Sequence, residues 1–446
     1  MDIKSQTFLV VGISKSGFAV ANYILLNGGK CLLYEELSSP KIDEAISKLV
    51  DMGGVRVDKE NVDNALLDID NLIISPGVPI NHHVAVKAKS LKKRIIGELE
   101  FGFLQFSPTT VAITGTNGKT TTATLIDEIL RTAGLNSLLV GNVGVPITSK
   151  VCDANKKSVC VAEVSSFQLE STDFFCPHVS CILNIKPDHL ERHYTMENYV
   201  FLKKRILKNQ RESEYAILNY DDELVKSFAD ELRAKVLYVS LKEKVDGAYR
   251  VGEELYYKNE FIINQNDLSL KGEHNVYNSL FAIAVAKLFK VKNQDIISAL
   301  KNFKGVKHRM ELIALKQGVE FYNDSKATNT ASTISAIESI KKPTILILGG
   351  SEKGETYIEL FDKIKQSLVK HVVLTGASRN KMLECADKVG FNKLSLTYDF
   401  TTAVKIAKLI ADEGDCVLLS PACASFDNFS NFEERGEKFK EIVEEL

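Results

Sequence analysis

The residues best equipped for chemistry lie at 110–122, TVAITGTNGKTTT. The apolar run Val111, Ala112, Ile113 leads into Gly115-Thr116-Asn117-Gly118-Lys119-Thr120-Thr121. The spacing of Leu125, Ile126, Ile129, Leu130 and Ala133 predicts a helix that closes near Gly134. Strand, glycine turn and helix in this order make an anion site. Main-chain N–H groups at the helix start face phosphate oxygens, Lys119 supplies a point charge, and the Thr120 hydroxyl is a ligand for Mg2+. A Cβ at the turn glycines would block the approach of phosphate oxygens. The general phosphate loop holds about four residues between its glycines, whereas Gly115 and Gly118 enclose only Thr116 and Asn117. An ordinary strand–turn–helix with a surface lysine is the alternative.

The elements that must hold this loop repeat one pattern along the chain. Strand-like runs at 8–13, 31–34 and 71–75 alternate with helical stretches at 17–26 and 41–52, which predicts α/β structure with a mainly parallel sheet. VVGISKSG stands where a dinucleotide fold carries GxGxxG, but only Gly12 and Gly17 are present, which disfavours NAD. Glu35 and Glu36 follow the second run, where such folds hold a ribose or base; a solvated loop reads equally well. Gly77, after the third run, lets a ligand ring lie close to the backbone.

Further strands are expected at 111–114, 137–140, 159–164, 181–185 and 215–219. Ligands bind at the carboxyl ends of such strands, and three ends are polar. They carry Asn142; Glu163 with Ser165 and Gln168; and Asn184 with Asp188 and His189. Glu163 and His189 are candidates for Mg2+–phosphate chemistry, with His178 and His193 as bystanders. Lys203, Lys204 and Arg205, on a helix expected at 196–208, read by themselves as a solvated face. His274, Asn275 and Asn278 precede or begin an apolar helix, where the amides either cap it or face a base edge. Beyond residue 307, strands are expected at 319–323, 344–350, 371–376 and 416–420, with polar loops at 323–329, 349–354 and 420–426. Asp324 and Lys326 are either a surface ion pair or nucleotide and substrate contacts. Arg309, beside His308 after a presumed linker, is able to reach phosphates.

At 446 residues the chain is long enough for about two to four domains. It is 45% hydrophobic, with a net charge of −2 and no long basic block, so no nucleic-acid partner is expected. No apolar run approaches the roughly 18 residues of a membrane span, and MDIKSQ leads straight into a strand-like run, so no signal peptide is expected. Eight scattered cysteines without CxxC read as reduced core residues.

GTNGKTT, EVSSFQLE, LNIKPDHLERH, GEHNVYN, VKHRME, NDSKATN and SPACASFDNF, in this order and spacing, resemble the Mur ligases of peptidoglycan synthesis. The resemblance covers the whole chain, and the short phosphate loop is that family's own form. It implies three α/β domains: a Rossmann-like N-terminal domain for UDP (1–97), a central P-loop ATPase with a mainly parallel sheet (98–305), and a C-terminal Rossmann-like domain for the amino acid (306–446). It implies that ATP phosphorylates the carboxylate of UDP-N-acetylmuramoyl-L-alanine and that the amine of D-glutamate attacks the acyl phosphate.

The cofactors so implied are ATP and two Mg2+ ions, with Thr120 and Glu163 holding one ion and His189 and a carbamylated Lys203 the other. Lys204 is the alternative carbamate position. Lys119 contacts the β- and γ-phosphates, and Lys326 aligns the substrates. His274, Asn275 and Asn278 meet adenine or its surroundings, while His308, Arg309 and Asp324 meet ribose and phosphates. Ser16, Glu36 and Gly77 face UDP, and Asn142, Ser165 and Gln168 face the muramoyl-alanine portion. Thr328, Lys353, Ser425 and Phe432 form the D-glutamate pocket, although Ser351-Glu352 stands where an Asp is more usual before the basic residue. A cytoplasmic monomer is expected. Two other readings remain: a relative adding another amino acid, against which stand Asn117 and the lack of a DNPR motif, and a P-loop switch, which leaves the later polar loops without a role.

Overall fold

The computed structural model describes residues 2–106, 108–352 and 356–446. Near-continuous apolar strands predict sheets covered on both faces, and alternate residues of single strands do line opposite cores. Phe8, Val10 and Ile73 pack on one side of the first sheet, and Leu9, Val11, Leu72 and Ile74 on the other. This sheet comprises β1 (Thr7–Val11), β2 (Lys30–Tyr34), β3 (Val55–Arg56), β4 (Asn71–Ile74) and β5 (Arg94–Gly97), all parallel, in the order β3-β2-β1-β4-β5.

The second sheet has nine strands: β6 (Thr109–Thr114), β7 (Ser137–Gly141), β8 (Val159–Glu163), β9 (Val179–Ile182), β10 (Tyr215–Asn219), β11 (Lys235–Ser240), β12 (Gly247–Val251), β13 (Glu254–Tyr257) and β14 (Glu260–Asn264). Their order is β14-β13-β12-β11-β10-β9-β6-β8-β7, parallel except for the antiparallel pairs β12–β13 and β13–β14. Register decides what meets at its carboxyl edge. Glu163 lies opposite Ile113 on one side and Gly141 on the other, while Thr114 lies opposite Ile182. The ends of β7, β8, β6 and β9 therefore converge.

The third sheet is β15 (Glu311–Lys316), β16 (Val319–Asn323), β17 (Thr344–Gly349), β18 (Val369–Thr375), β19 (Leu394–Leu396) and β20 (Cys416–Leu419), ordered β15-β16-β20-β17-β18-β19 with only β15 antiparallel. The chain divides into two compact units: Met1–Leu268 with Asn275–Phe303, holding the first two sheets, and Ser269–His274 with Lys304–Leu446, holding the third. Among the described residues, no helix is long and apolar enough to cross a membrane.

Several expectations need correction. The strand expected to reach residue 185 ends at Ile182, because Asn184 leaves the ladder to bond the phosphate loop. The strands β3, β5, β11–β15 and β19 are absent from the sequence reading. They run two to six residues, β13 and β14 with exposed Glu254 and Phe261, and their alternation is too brief to declare a strand. Of the cysteines, Cys152 is exposed rather than in the core.

Candidate active site

The phosphate-loop sequence folds as a turn between β6 and the helix Lys119–Thr132. Gly118 caps that helix at φ +85°, a left-handed conformation in which a Cβ would also meet the Asn278 amide. Neighbouring strand ends clamp the turn. Thr116 N donates to Asn184 O at 2.9 Å, and Asn117 N to Asn184 Oδ1 at 2.9 Å. Asn184 Nδ2 returns a bond to Asn117 O at 3.1 Å. Lys119 Nζ donates to the carbonyls of Gly115 and Thr116 at 2.9 and 2.8 Å, so its charge sits over the turn. Thr121 is buried in the first helical turn.

Glu163 ends β8 fully buried. Its Oε2 accepts from Thr120 Oγ1 at 2.7 Å, and its Oε1 from Asn142 Nδ2 at 2.7 Å. A carboxylate and a hydroxyl converging beside a phosphate loop are the oxygen donors that a hard divalent cation takes. Just beyond, Ser165 and Gln168 form a reciprocal cap on the short helix Ser166–Leu169. His189 follows β9 at φ +54°, with Nε2 3.6 Å from Asp188 Oδ2 and its ring on Phe167. His193 is buried and bonded to Ser166 Oγ at 2.9 Å.

The basic run 203–205 is not one solvated face. Lys203 is 1% exposed, donates to Gly115 O at 2.7 Å, and lies over the Tyr199 ring. Burial, then the nearby charge of Lys119, holds its ammonium well below the ordinary lysine value, against the pull of Asp188 and Glu163. Lys204 is instead a surface group paired with Glu231 at 2.7 Å. The periodicity of the helix Met196–Lys204 is weak, which is why spacing alone did not select the buried lysine.

Asn275 and Asn278 lie inside the helix Glu273–Leu288 rather than capping it. Asn278 is buried, accepts from Thr122 Oγ1 at 3.1 Å and donates to Asn275 Oδ1 at 3.1 Å, so it braces the phosphate-loop helix. At the first sheet, Ser16 lies in the first turn of the helix Lys15–Leu26, and the Gly77 carbonyl accepts from Arg192 at 3.4 Å. Glu36 is not merely a solvated loop residue. It accepts from Tyr34 OH at 2.7 Å and meets His83 at 2.8 Å and His82 at 3.4 Å, contacts that hold its carboxyl down at about 2, His83 foremost.

In the second unit, Asp324 is fully buried, so the surface ion-pair reading with Lys326 fails. Its partners are Ser420 Oγ at 2.8 Å, Met310 N at 3.2 Å and Arg309 at 3.7 Å, and burial raises its pKa despite them. His308 packs inward against Asn323 Nδ2 at 3.0 Å and Glu437 at 3.5 Å, leaving Arg309 the more open of the two. Lys326 lies over the Phe432 ring, and Thr328 N bonds to Lys326 O at 3.0 Å. His274 bonds Ser335 at 3.2 Å, and burial, then Arg309, pushes it down to about 4. Ser425 is buried after β20. Lys353 lies outside the described residues. The sequence reading missed Arg435. This buried guanidinium joins Ser325 Oγ and O at 3.0 and 2.8 Å to Cys423 O and Ala424 O at 3.0 and 3.2 Å, pinning two of the polar loops together. An arginine among glutamates on a terminal helix carries no signal of that role.

A clamped phosphate loop, a buried carboxylate–hydroxyl pair and a third doubly wound sheet with polar strand ends define a nucleotide-using α/β enzyme of several modules. Residues 6–97 match the model of the Mur ligase MurD-like N-terminal domain, 113–286 that of the Mur ligase middle domain, and 308–423 that of the Mur ligase glutamate ligase domain. The chain belongs to the Mur ligase family. It is 41% identical over 457 residues to the UDP-N-acetylmuramoylalanine--D-glutamate ligase of Clostridioides difficile (strain 630), and 39% identical over 449 residues to that of Caldanaerobacter subterraneus, with all of each chain covered. The fold is similar to UDP-N-acetylmuramate-alanine ligase MurC from Thermotoga maritima (TM-score 0.64, 18% identity, 99% of both chains). It is also similar to MurF ligase from Thermotoga maritima in complex with ADP (TM-score 0.62, 17% identity, 100% and 99% of the chains).

Proposed function

We infer that this chain is the UDP-N-acetylmuramoylalanine--D-glutamate ligase of its organism: an ATP-dependent enzyme that joins D-glutamate to UDP-N-acetylmuramoyl-L-alanine in peptidoglycan precursor synthesis. The observation that carries the inference is the full-length identity to ligases of that name, on a chain whose phosphate loop and Glu163 stand together. A carboxylate is a poor electrophile without a leaving group, so activation as an acyl phosphate precedes attack by the amine of D-glutamate.

In this reading Lys119 and the loop N–H groups hold and orient the phosphates of ATP. Thr120 and Glu163 hold one Mg2+, with Asn142 fixing the carboxylate, and His189 with Lys203 as its carbamate holds a second. Such ions supply neutralisation of charge on the transferring phosphoryl group. The carbamate assignment to Lys203 rather than Lys204 is supported by burial. Only an uncharged amine attacks CO2, forming a C–N bond and losing a proton, and the lowered pKa of Lys203 supplies that amine.

The module boundaries are 1–97, 98–305 and 306–446. Ser16, Glu36 and Gly77 serve the UDP end, and Asn142, Ser165 and Gln168 the muramoyl-alanine portion. Asn275 and Asn278 with His274, and Arg309, Asp324 and His308, serve the nucleotide. Lys326 aligns the substrates, and Thr328, Lys353, Ser425 and Phe432 take D-glutamate. The enzyme acts as a monomer in the cytoplasm.

The test is phosphate release from ATP and Mg2+ with UDP-N-acetylmuramoyl-L-alanine, comparing D-Glu, L-Glu, L-Ala and a diamino acid. Release with matching amide product only for D-Glu is expected. Release with another acceptor overturns the amino-acid assignment, and hydrolysis indifferent to both substrates overturns the ligase.

A further inference from the structure

We propose that Glu36, His82 and His83 form a binding site for a borderline divalent transition metal of the Zn2+ or Co2+ class, on the carboxyl edge of the first sheet. Their ligand atoms all lie within 4.8 Å of one another, and no other such group of three occurs among the described residues. The fold brings them together from distant places in the chain. Glu36 follows β2, and His82 and His83 begin the helix His83–Ser90 after β4; both strands flank β1.

The geometry suits a metal. Tetrahedral bonds of about 2.0–2.1 Å set ligand atoms roughly 3.3 Å apart; His82 Nε2 lies 3.4 Å from Glu36 Oε2 and His83 Nε2 2.8 Å from Glu36 Oε1, so each imidazole faces its own carboxylate oxygen near that spacing. Tyr34 OH, donating to Glu36 Oε1 at 2.7 Å, orients the carboxylate in the manner of an outer-shell partner. The His82 and His83 rings lie 4.4 Å apart, tilted by 34°, with both Nε2 atoms turned to Glu36. His82 Nδ1 accepts from Val84 N at 3.4 Å. Metal ligation at Nε2 moves the ring proton to Nδ1 and gives up that long contact.

The ligand set is one anion with two neutral imidazoles. Two nitrogens and one oxygen favour Zn2+, Co2+ or Ni2+ over Mg2+, which takes oxygens in an octahedron. Side-chain exposures of 17% for His82, 41% for Glu36 and 49% for His83 leave an entry path and room for a further ligand such as water. Binding is independent of whether Glu36 also serves the UDP end, so the test reads metal rather than turnover.

Untagged full-length protein in excess Mg2+, which fills the oxygen sites, is titrated with CoCl2 and followed by visible d–d absorption. One equivalent is expected to give a low-coordinate cobalt spectrum that Zn2+ abolishes. His83→Ala and Glu36→Gln should each weaken binding by about tenfold or more, with circular dichroism unchanged, and Cys152→Ala should leave it intact. Absence of the spectrum, its persistence in both ligand variants, or its loss in Cys152→Ala would overturn the proposal.

Discussion

Replacing Lys203 and Lys204 one at a time tests the role proposed for a buried amine against its surface neighbour. Lys204 contributes an exposed ion pair with Glu231, side chains 28% and 70% exposed, worth under about 1 kcal/mol. Its contact with the Phe228 ring adds about 0.5–1 kcal/mol. Lys204→Ala should therefore cost at most about 2 kcal/mol of stability and leave turnover close to that of the parent, since its contacts are with Glu231 and Phe228 and not with the phosphate loop. Lys203→Ala removes a buried stem, costing about 2–4 kcal/mol of stability. The Gly115 carbonyl keeps its bond from Lys119, so the loop does not lose its last donor.

If Lys203 works as an anionic carbamate, its loss removes a preorganised electrostatic group and should lower turnover by about a hundredfold or more. Lys203→Arg should fall as far, because a guanidinium restores charge of the wrong sign and cannot be carbamylated. The assay is phosphate release with both substrates, alongside 13C NMR of protein equilibrated with 13C-bicarbonate, where one carbamate resonance should vanish in both Lys203 variants. An Arg variant retaining more than about a tenth of turnover, equal losses in Lys204→Ala, or a resonance that survives in Lys203→Ala would refute the reasoning.

Asn142→Ala should raise the Mg2+ concentration needed for half-maximal turnover about 10- to 100-fold, because Glu163 loses the bond that orients it; a metal titration at saturating ATP checks this. Burial raises the Glu98 carboxyl from 4.5 to about 7, although Thr148 donates to Oε1 twice at 2.8 Å. The folded state thus holds a proton that the unfolded state releases first. The associated stability, roughly 3 kcal/mol, is present below about pH 4.5 and is lost as pH rises through 7. Glu98→Gln should accordingly raise the urea midpoint at pH 8.5 and flatten its pH dependence, and no gain at pH 8.5 would contradict this. Arg435→Met should destabilise the second unit by about 3 kcal/mol, since carbonyls of Ser325, Cys423 and Ala424 lose a buried donor; thermal unfolding and the KM for D-glutamate should both respond.

The phosphate loop was legible in sequence because its chemistry is local. Gly118 must take a left-handed conformation, Lys119 and Thr120 must follow it, and an apolar strand must precede it, all within one short stretch. Strands buried on both faces announce themselves by composition, so most of the sheets could be read as well. The strands β11–β14, which carry the sheet out to its edge at β14, could not, because runs of four to six residues carry little periodic signal. Likewise Asn275 and Asn278 were visible as neighbours on a helix, but not as the brace on Thr122 that the meeting of two helices creates.

By itself the sequence determined the α/β class, the strand–turn–helix of the phosphate loop and, through its motifs, the family. Which of two adjacent lysines is buried was decided only by the tertiary structure. Lys203 turns into the convergence of β6, β8 and β9, where water is excluded and Lys119 repels its charge, while Lys204 reaches solvent and Glu231. The same is true of the Glu36–His82–His83 cluster and of Arg435. Their meaning depends on groups far apart in the chain that only strand order and packing bring within bonding distance, and spacing along the sequence holds no record of that distance.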